Sequence, residues 1–143
     1  MIIPDANLLI YAHDRKSPWH REAAAWWEHV LNGDEPIGLP WVVVLAFLRI
    51  TTNPSINERP LSPQQAMATV ASWETTGIIR YLAPGPEHRR HLETLVCASF
   101  ASGNLMNDAH LAALAIGHGA CLCTHDNDFA RFPGLRWKNP LRA

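Results

Sequence analysis

The sequence has no run of eighteen apolar residues, although 48% of its residues are hydrophobic. That combination excludes a helical membrane span and wholesale disorder alike. It also lacks a basic leader followed by a long apolar stretch, since Met1 runs straight into Ile2 and Ile3, so a cytoplasmic protein is expected. Cysteine is scarce. Cys97, Cys121 and Cys123 are odd in number and two of them stand one residue apart, which does not suit a secreted disulfide framework, and buried reduced thiols are expected. Repeats, linkers and low-complexity tracts are missing too, and 143 residues suit a single domain over 1–143. The formal net charge of −1 neither favours nor excludes nucleic acid. Acid is absent after Asp128, however, while Arg131, Arg136, Lys138 and Arg142 fall in the last thirteen residues. These basic residues read either as an RNA-gripping edge or as an ordinary solvated tail.

What is present is an alternation of short apolar runs with helical patterns. Residues 1–10 open with a β-branched run that predicts a buried strand turning at Pro4 to Asn7. Ser17-Pro18 supplies a helix start, with Trp19, Ala23, Trp26 and Val30 at helical spacing up to Gly33. The tryptophans are expected chiefly as core anchors, with base stacking the less favoured reading. Asp34 to Leu39 predicts a brief strand, and Pro40 opens an apolar helix over Trp41 to Thr52, stopped by Asn53-Pro54. Arg49 is the one charge in that helix, and it either reaches a carboxylate partner or snorkels to solvent. Ser62 to Gln65 matches a capping box, after which Ala66, Val70 and Trp73 mark an inward face. A strand over Ile78 to Leu82 precedes the break at Pro84-Gly85-Pro86. A helix over Glu87 to Ser102 follows, with Leu92, Leu95, Val96 and Phe100 inward. Another helix opens at Asn107 and Asp108 and stops at Gly117 and Gly119. After it come an apolar run from Ala120 to Cys123, a turn holding Asp126 and Asp128, and a last strand at Arg136-Trp137. This order predicts an α/β protein with a mostly parallel sheet covered on both faces.

Asp5 and Asp126 each fall just past a predicted strand end, and Asp108 falls at a helix start. Taken singly, two are turn formers and one satisfies free N–H groups. Taken jointly, they lie where strand ends and helix starts converge in an open α/β sheet. Carboxylates that meet in a cleft repel one another until a proton or a cation intervenes, and clustered hard oxygens suit Mg2+ or Mn2+. Hydrolysis of a phosphodiester is the natural chemistry of such a site. Asp128 could be a further ligand, direct or through water, while Asn7 and Thr124 could orient ligands or metal waters. A competing zinc site would use His118, Cys121, Cys123 and His125 within eight positions, although the single-residue gap between cysteines departs from the usual spacing. An aspartate-nucleophile phosphatase would want a second acid two residues after Asp5, where Asn7 stands.

Four segments carry a resemblance: D-A-N at Asp5 to Asn7, L-P-W through F-L-R with Thr52-Asn53-Pro54, N-D-A-H-L-A-A-L-A at Asn107 to Ala115, and T-H-D-N-D-F-A-R-F-P-G-L at Thr124 to Leu135. In these the chain resembles the PIN-domain family, specifically the VapC-type ribonuclease toxins of bacterial toxin–antitoxin pairs. The resemblance implies a three-layer α/β/α fold and a Mg2+- or Mn2+-dependent endoribonuclease acting on structured cellular RNA such as tRNA or rRNA. It also implies a homodimer neutralised by a small VapB-like antitoxin. Asp5 and Asp108 match the family's principal metal-binding acids, Asp126 a further active-site acid, and Asp128 an acid that often precedes the phenylalanine. One departure stands out: the position before F-L-R that commonly holds glutamate is Ala46. The acidic set is therefore one carboxylate short, which keeps open a catalytically weakened binding module that acts through its protein partner.

Overall fold

Ile2–Pro4 (β1) is a fully buried strand at the centre of a five-stranded sheet. On one side lie Ile37–Pro40 (β2) and Ile79–Leu82 (β3); on the other lie Cys121–Cys123 (β4) and Trp137–Lys138 (β5), giving the order β3-β2-β1-β4-β5. Every pairing is parallel. Parallel strands covered on both faces have no solvent side, so they read as unbroken apolar runs, and Ile3, Ile37, Leu39 and Leu122 are wholly buried. The structure, a computed structural model, describes residues 1–141, so Arg142 of the basic tail lies outside the described residues.

The helices Ala6–His13 (α1) and His20–Leu31 (α2) connect β1 to β2, and Trp41–Thr51 (α3) with Pro63–Glu74 (α4) connects β2 to β3. Both crossovers step outward in one direction. His88–Ser99 (α5) and Leu105–Gly117 (α6) then carry the chain back across the sheet to β4. Because such crossovers are right-handed, reversing direction puts α5 and α6 on the face opposite α1 to α4. The result is the expected three-layer α/β/α arrangement. The reversal falls between β1 and β4, the place in such sheets where loops part and ligands collect.

Local signals explain most boundaries. Ser62 accepts from Gln65 N–H while the Gln65 side chain accepts from Ser62 N–H, so both halves of the capping box form, and Ala66, Val70 and Trp73 are buried as their spacing predicts. Other boundaries differ from the sequence reading. Asp5 ends β1 and at once caps α1, a helix the turn reading of Pro4 to Asn7 did not include. A strand of three residues leaves no room for its own pattern before the helical one begins. α6 opens at Leu105, which puts Asp108 in its first turn. Phe100, expected to point inward, sits instead at the end of α5 in left-handed backbone (φ 55) and is 88% exposed. It occupies a place that glycine usually takes at a helix end. The tryptophans divide: Trp27 and Trp73 are core anchors, Trp41 is exposed, and Trp19 and Trp26 are half-buried. All three cysteines are free. Cys123 is buried, which pushes its thiol up to about 12, but Cys97 is exposed, contrary to expectation.

Candidate metal centre at the β1/β4 edge

The register Pro4↔Cys123 makes β1 and β4 end level, so Asp5 and Thr124 leave the sheet side by side. Asp5 N–H donates to the Cys123 carbonyl at 2.8 Å. The Asp5 carboxylate is held at both oxygens: Oδ1 accepts from Ala6 N–H at 2.7 Å and Oδ2 accepts from the Thr124 hydroxyl at 2.7 Å. Thr124 is fully buried, and its Oγ1 also accepts from Asp126 N–H at 3.0 Å and from the Asn7 amide at 3.4 Å. One hydroxyl thus ties together Asp5, Asn7 and the chain at Asp126. Thr124→Val keeps the shape and removes these bonds, leaving the part-buried Asp126 N–H and an Asp5 carboxylate oxygen without this partner, so it is expected to cost about 1–3 kcal/mol in urea unfolding. The turn beyond is fixed in the same local way. Asp126 caps the 3-10 turn Asn127–Arg131 by accepting from Asp128 N–H at 2.8 Å, and the buried rings of Phe129 and Phe132 anchor that turn in the core.

α6 ends just before β4 begins, so it runs opposite to the strand and returns its first turn, with Asp108, to the edge where Asp5 and Asp126 stand. The electrostatics agree with this placement. Burial, and then the charges of Asp5, Asp126 and Asp128 in that order, push Asp108 up to about 6, opposed only by Arg131. Burial also raises Asp5, against the Thr124 and Ala6 hydrogen bonds that favour its charged form, and Asp126 adds to the rise. The structure therefore brings together Asp5, Asp108, Asp126 and Asp128, with Asn7 and Thr124 beneath them. Among the described residues Arg131 is the one cation seen to act on this cluster, its guanidinium 3.9 Å from Asp128. Among the described residues no three acidic, His or Cys side chains are already closed around a common point. Four carboxylates against one guanidinium repel, and drawing them together requires a counter-charge. Hard oxygen donors in electrostatic deficit fit a small divalent cation.

Other candidates stand elsewhere. Arg49 is exposed on α3 and forms no ion pair among the described residues, so it snorkels and does not serve the acids. Arg136 donates to the Gly119 carbonyl, which lies at the opposite, amino end of the strands. Lys138 lines a cleft with Ile2, Trp26, His29 and Glu35, away from the acidic edge. Of the expected basic residues that are described, only Arg131 joins the site. The zinc reading does not assemble: His118 pairs with the Ala83 carbonyl and His125 with the Asn139 amide. Ala46 is half-buried on α3 and contributes no oxygen. Sequence reasoning missed Tyr11. Both Asp5 and Asp126 raise its phenol, after the effect of burial, so it stands near them. Recognising α1 would have found it, since Asn7 and Tyr11 are four apart and share a helix face.

The chain matches the PIN domain model over residues 2–135. It is 38% identical over 140 residues to ribonuclease VapC37 of Mycobacterium tuberculosis, a match covering 98% of this chain and 97% of the relative. It is 39% identical over 142 residues to ribonuclease VapC33 of the same species, covering 99% of each. Among solved structures, VapBC2 from Rickettsia felis bound to a promoter DNA fragment superposes with a TM-score of 0.70 at 20% identity, covering 97% of this chain and 98% of that one. That likeness speaks for the fold, with the five parallel strands and flanking helices described above. With both the family model and full-length relatives in agreement, the chain belongs to the PIN-domain family, among the VapC ribonucleases.

Proposed function

We propose that this protein is the toxin of a toxin–antitoxin pair, a metal-dependent endoribonuclease that hydrolyses phosphodiester bonds in structured cellular RNA such as tRNA or rRNA. The observation that supports this most is the β1/β4 edge, where one buried threonine fixes Asp5 and the chain at Asp126 opposite Asp108. Relatives covering the full length carry the name ribonuclease, and solved neighbours include toxin–antitoxin complexes. Asp5, Asp108 and Asp126 would hold the ion and Asp128 would bind it directly or through water; Mg2+ is the assignment, with Mn2+ an alternative. When bound, the ion supplies a water of lowered pKa and positive charge beside the phosphate oxygens.

The chain's own residues do the positioning. The two hydrogen bonds on Asp5 hold its carboxylate in one orientation, so its donor geometry is set before substrate arrives. Asp108 comes to the cleft from the first turn of α6, a separate element from those that carry Asp5 and Asp126. Arg131 offers the guanidinium best placed for a phosphate oxygen, while its contact with Asp128 keeps it on the same turn as the acids. Phosphate contacts of this kind place the strand without reading its sequence. A cytoplasmic homodimer with a small VapB-like antitoxin as partner completes the reading; among the described residues no helix is long and apolar enough to cross a membrane.

Ala46 supports a second reading, a catalytically weakened module that acts through its protein partner. One experiment separates the two. Purified protein incubated with total RNA and Mg2+ is expected to yield discrete new 5′ ends that vanish with EDTA and in Asp108→Asn. Cleavage that persists at the parent rate in either case overturns the nuclease assignment.

A further inference from the structure

Three aromatic side chains from separate parts of the chain meet beside the acids. His125, between Thr124 and Asp126, lies against Trp19 with ring centroids 4.3 Å apart and meets Tyr11 edge-on at 5.7 Å. The His125 ring is itself hydrogen-bonded, and the backbone beside the other two rings is tied locally. His125 N–H approaches Asn7 Oδ1 at 3.5 Å, and its ring nitrogen pairs with the Asn139 amide at 3.1 Å. Trp19 N–H donates to the Ser17 hydroxyl at 3.1 Å. The Tyr11 carbonyl pairs with the His20 ring at 2.9 Å, which joins the end of α1 to the start of α2.

If these rings served packing alone, they would be buried as Trp27 and Trp73 are, each 6% exposed. Instead Tyr11, Trp19 and His125 are all only partly buried. The charge balance gives such a surface work to do. The protein carries a net charge of −1, and among the described residues the site has four carboxylates and a single guanidinium, so phosphate attraction alone is a weak grip on RNA. Aromatic faces bind bases without needing charge, and every base has a face to offer.

We propose that Trp19, His125 and Tyr11 form a stacking shelf that holds one unpaired base of the RNA next to the acidic cleft and so selects single-stranded positions for cleavage. The proposal rests on the nuclease reading and adds to it a substrate subsite. A base can reach the shelf only when it is not stacked in a helix, which directs cutting to loops, bulges and ends of a folded RNA. Trp19 supplies the largest face, and His125 couples that face to the acids through its place in the chain.

The test is done in EDTA, so that binding is read without cleavage. Fluorescence anisotropy would compare a labelled oligoadenylate with an abasic ribose-phosphate chain of the same length, equal in charge but without bases. The parent protein is expected to bind the base-bearing strand about 10-fold or more tightly, within the range of one stacked base. Trp19→Ala should bring that ratio close to one while leaving affinity for the abasic chain unchanged, and Trp19→Phe should keep most of it. Tyr11→Leu serves as a second variant should Trp19→Ala fail to fold, and it should lower the ratio in the same way. A parent ratio near one overturns the shelf, as does a folded Trp19→Ala that keeps the parent ratio. Loss of metal-dependent cleavage with the base preference intact would overturn only the nuclease reading and would support the shelf.

Discussion

Asp108→Asn is expected to lower Mg2+-supported RNA cleavage by about 10²- to 10⁴-fold, the range that a charged group acting at a reacting centre commonly supplies, while raising thermal stability of the metal-free protein. Both effects follow from one cause. Asp108 is half-buried and faces Asp5, Asp126 and Asp128, so its charge is unfavourable in the absence of a cation and useful in the presence of one. Asparagine keeps the shape and removes the charge. On the proposed reading the cleft would lose a ligand for the ion and also a source of repulsion, a trade of stability for function common at active sites. The assay is initial cleavage rate against Mg2+ concentration, with melting temperature measured in EDTA on the same preparations. A variant that is less active and less stable would point to misfolding and away from electrostatics.

The second large effect is a dependence of stability on pH that reverses when metal is added. Asp108 has its folded pKa raised from 3.8 to about 6, so the folded protein holds a proton that the unfolded chain releases earlier. Its contribution is fully present below about pH 3.8 and is lost as pH rises through about 6. Asp5 is raised as well, chiefly by burial, and acts in the same direction. The melting temperature in EDTA is therefore expected to fall by a few degrees between pH 4 and pH 6.5, less than full burial would give because Asp108 is partly exposed and solvent screens it. In Asp108→Asn that slope flattens. If the acids hold the ion as proposed, they would do so in their ionised form, so Mg2+ should raise the melting temperature at pH 7 and have little effect at pH 4. Differential scanning fluorimetry across this range, with and without Mg2+, reads both arms.

How much of this was legible in the sequence varies with how locally it is written. The capping box at Ser62 and the inward triplet Ala66, Val70 and Trp73 are complete within one helix, and the structure repeats them residue for residue. Strand runs such as Ile78 to Leu82 carry their own β-branched and aromatic signature. α1 was not legible because β1 is only three residues long, so strand and helix patterns merge into one apolar run. Asp5, Asp108 and Asp126 could be picked out as acids at strand ends and a helix start, but their convergence depends on the reversal of sheet direction between β1 and β4, which no local pattern encodes. Basic residues misled for the same reason. Arg136 and Lys138 are near Arg131 in sequence, yet Arg136 precedes a strand whose amino end faces away from the acids, and the Lys138 side chain enters a different cleft. Trp19 and His125 lie far apart in sequence, so their contact could not be anticipated from either neighbourhood.

Titration of Mn2+ into the metal-free protein by calorimetry tests the central claim most directly, because it asks whether acids from distant parts of the chain grip a shared cation, independently of any RNA. The parent should bind Mn2+ at the β1/β4 edge, and Asp5→Asn and Asp108→Asn should each weaken that binding at least about tenfold, as expected when one charged ligand is removed. Folded variants that both bind Mn2+ as tightly as the parent would show that the ion, if held at all, is held elsewhere.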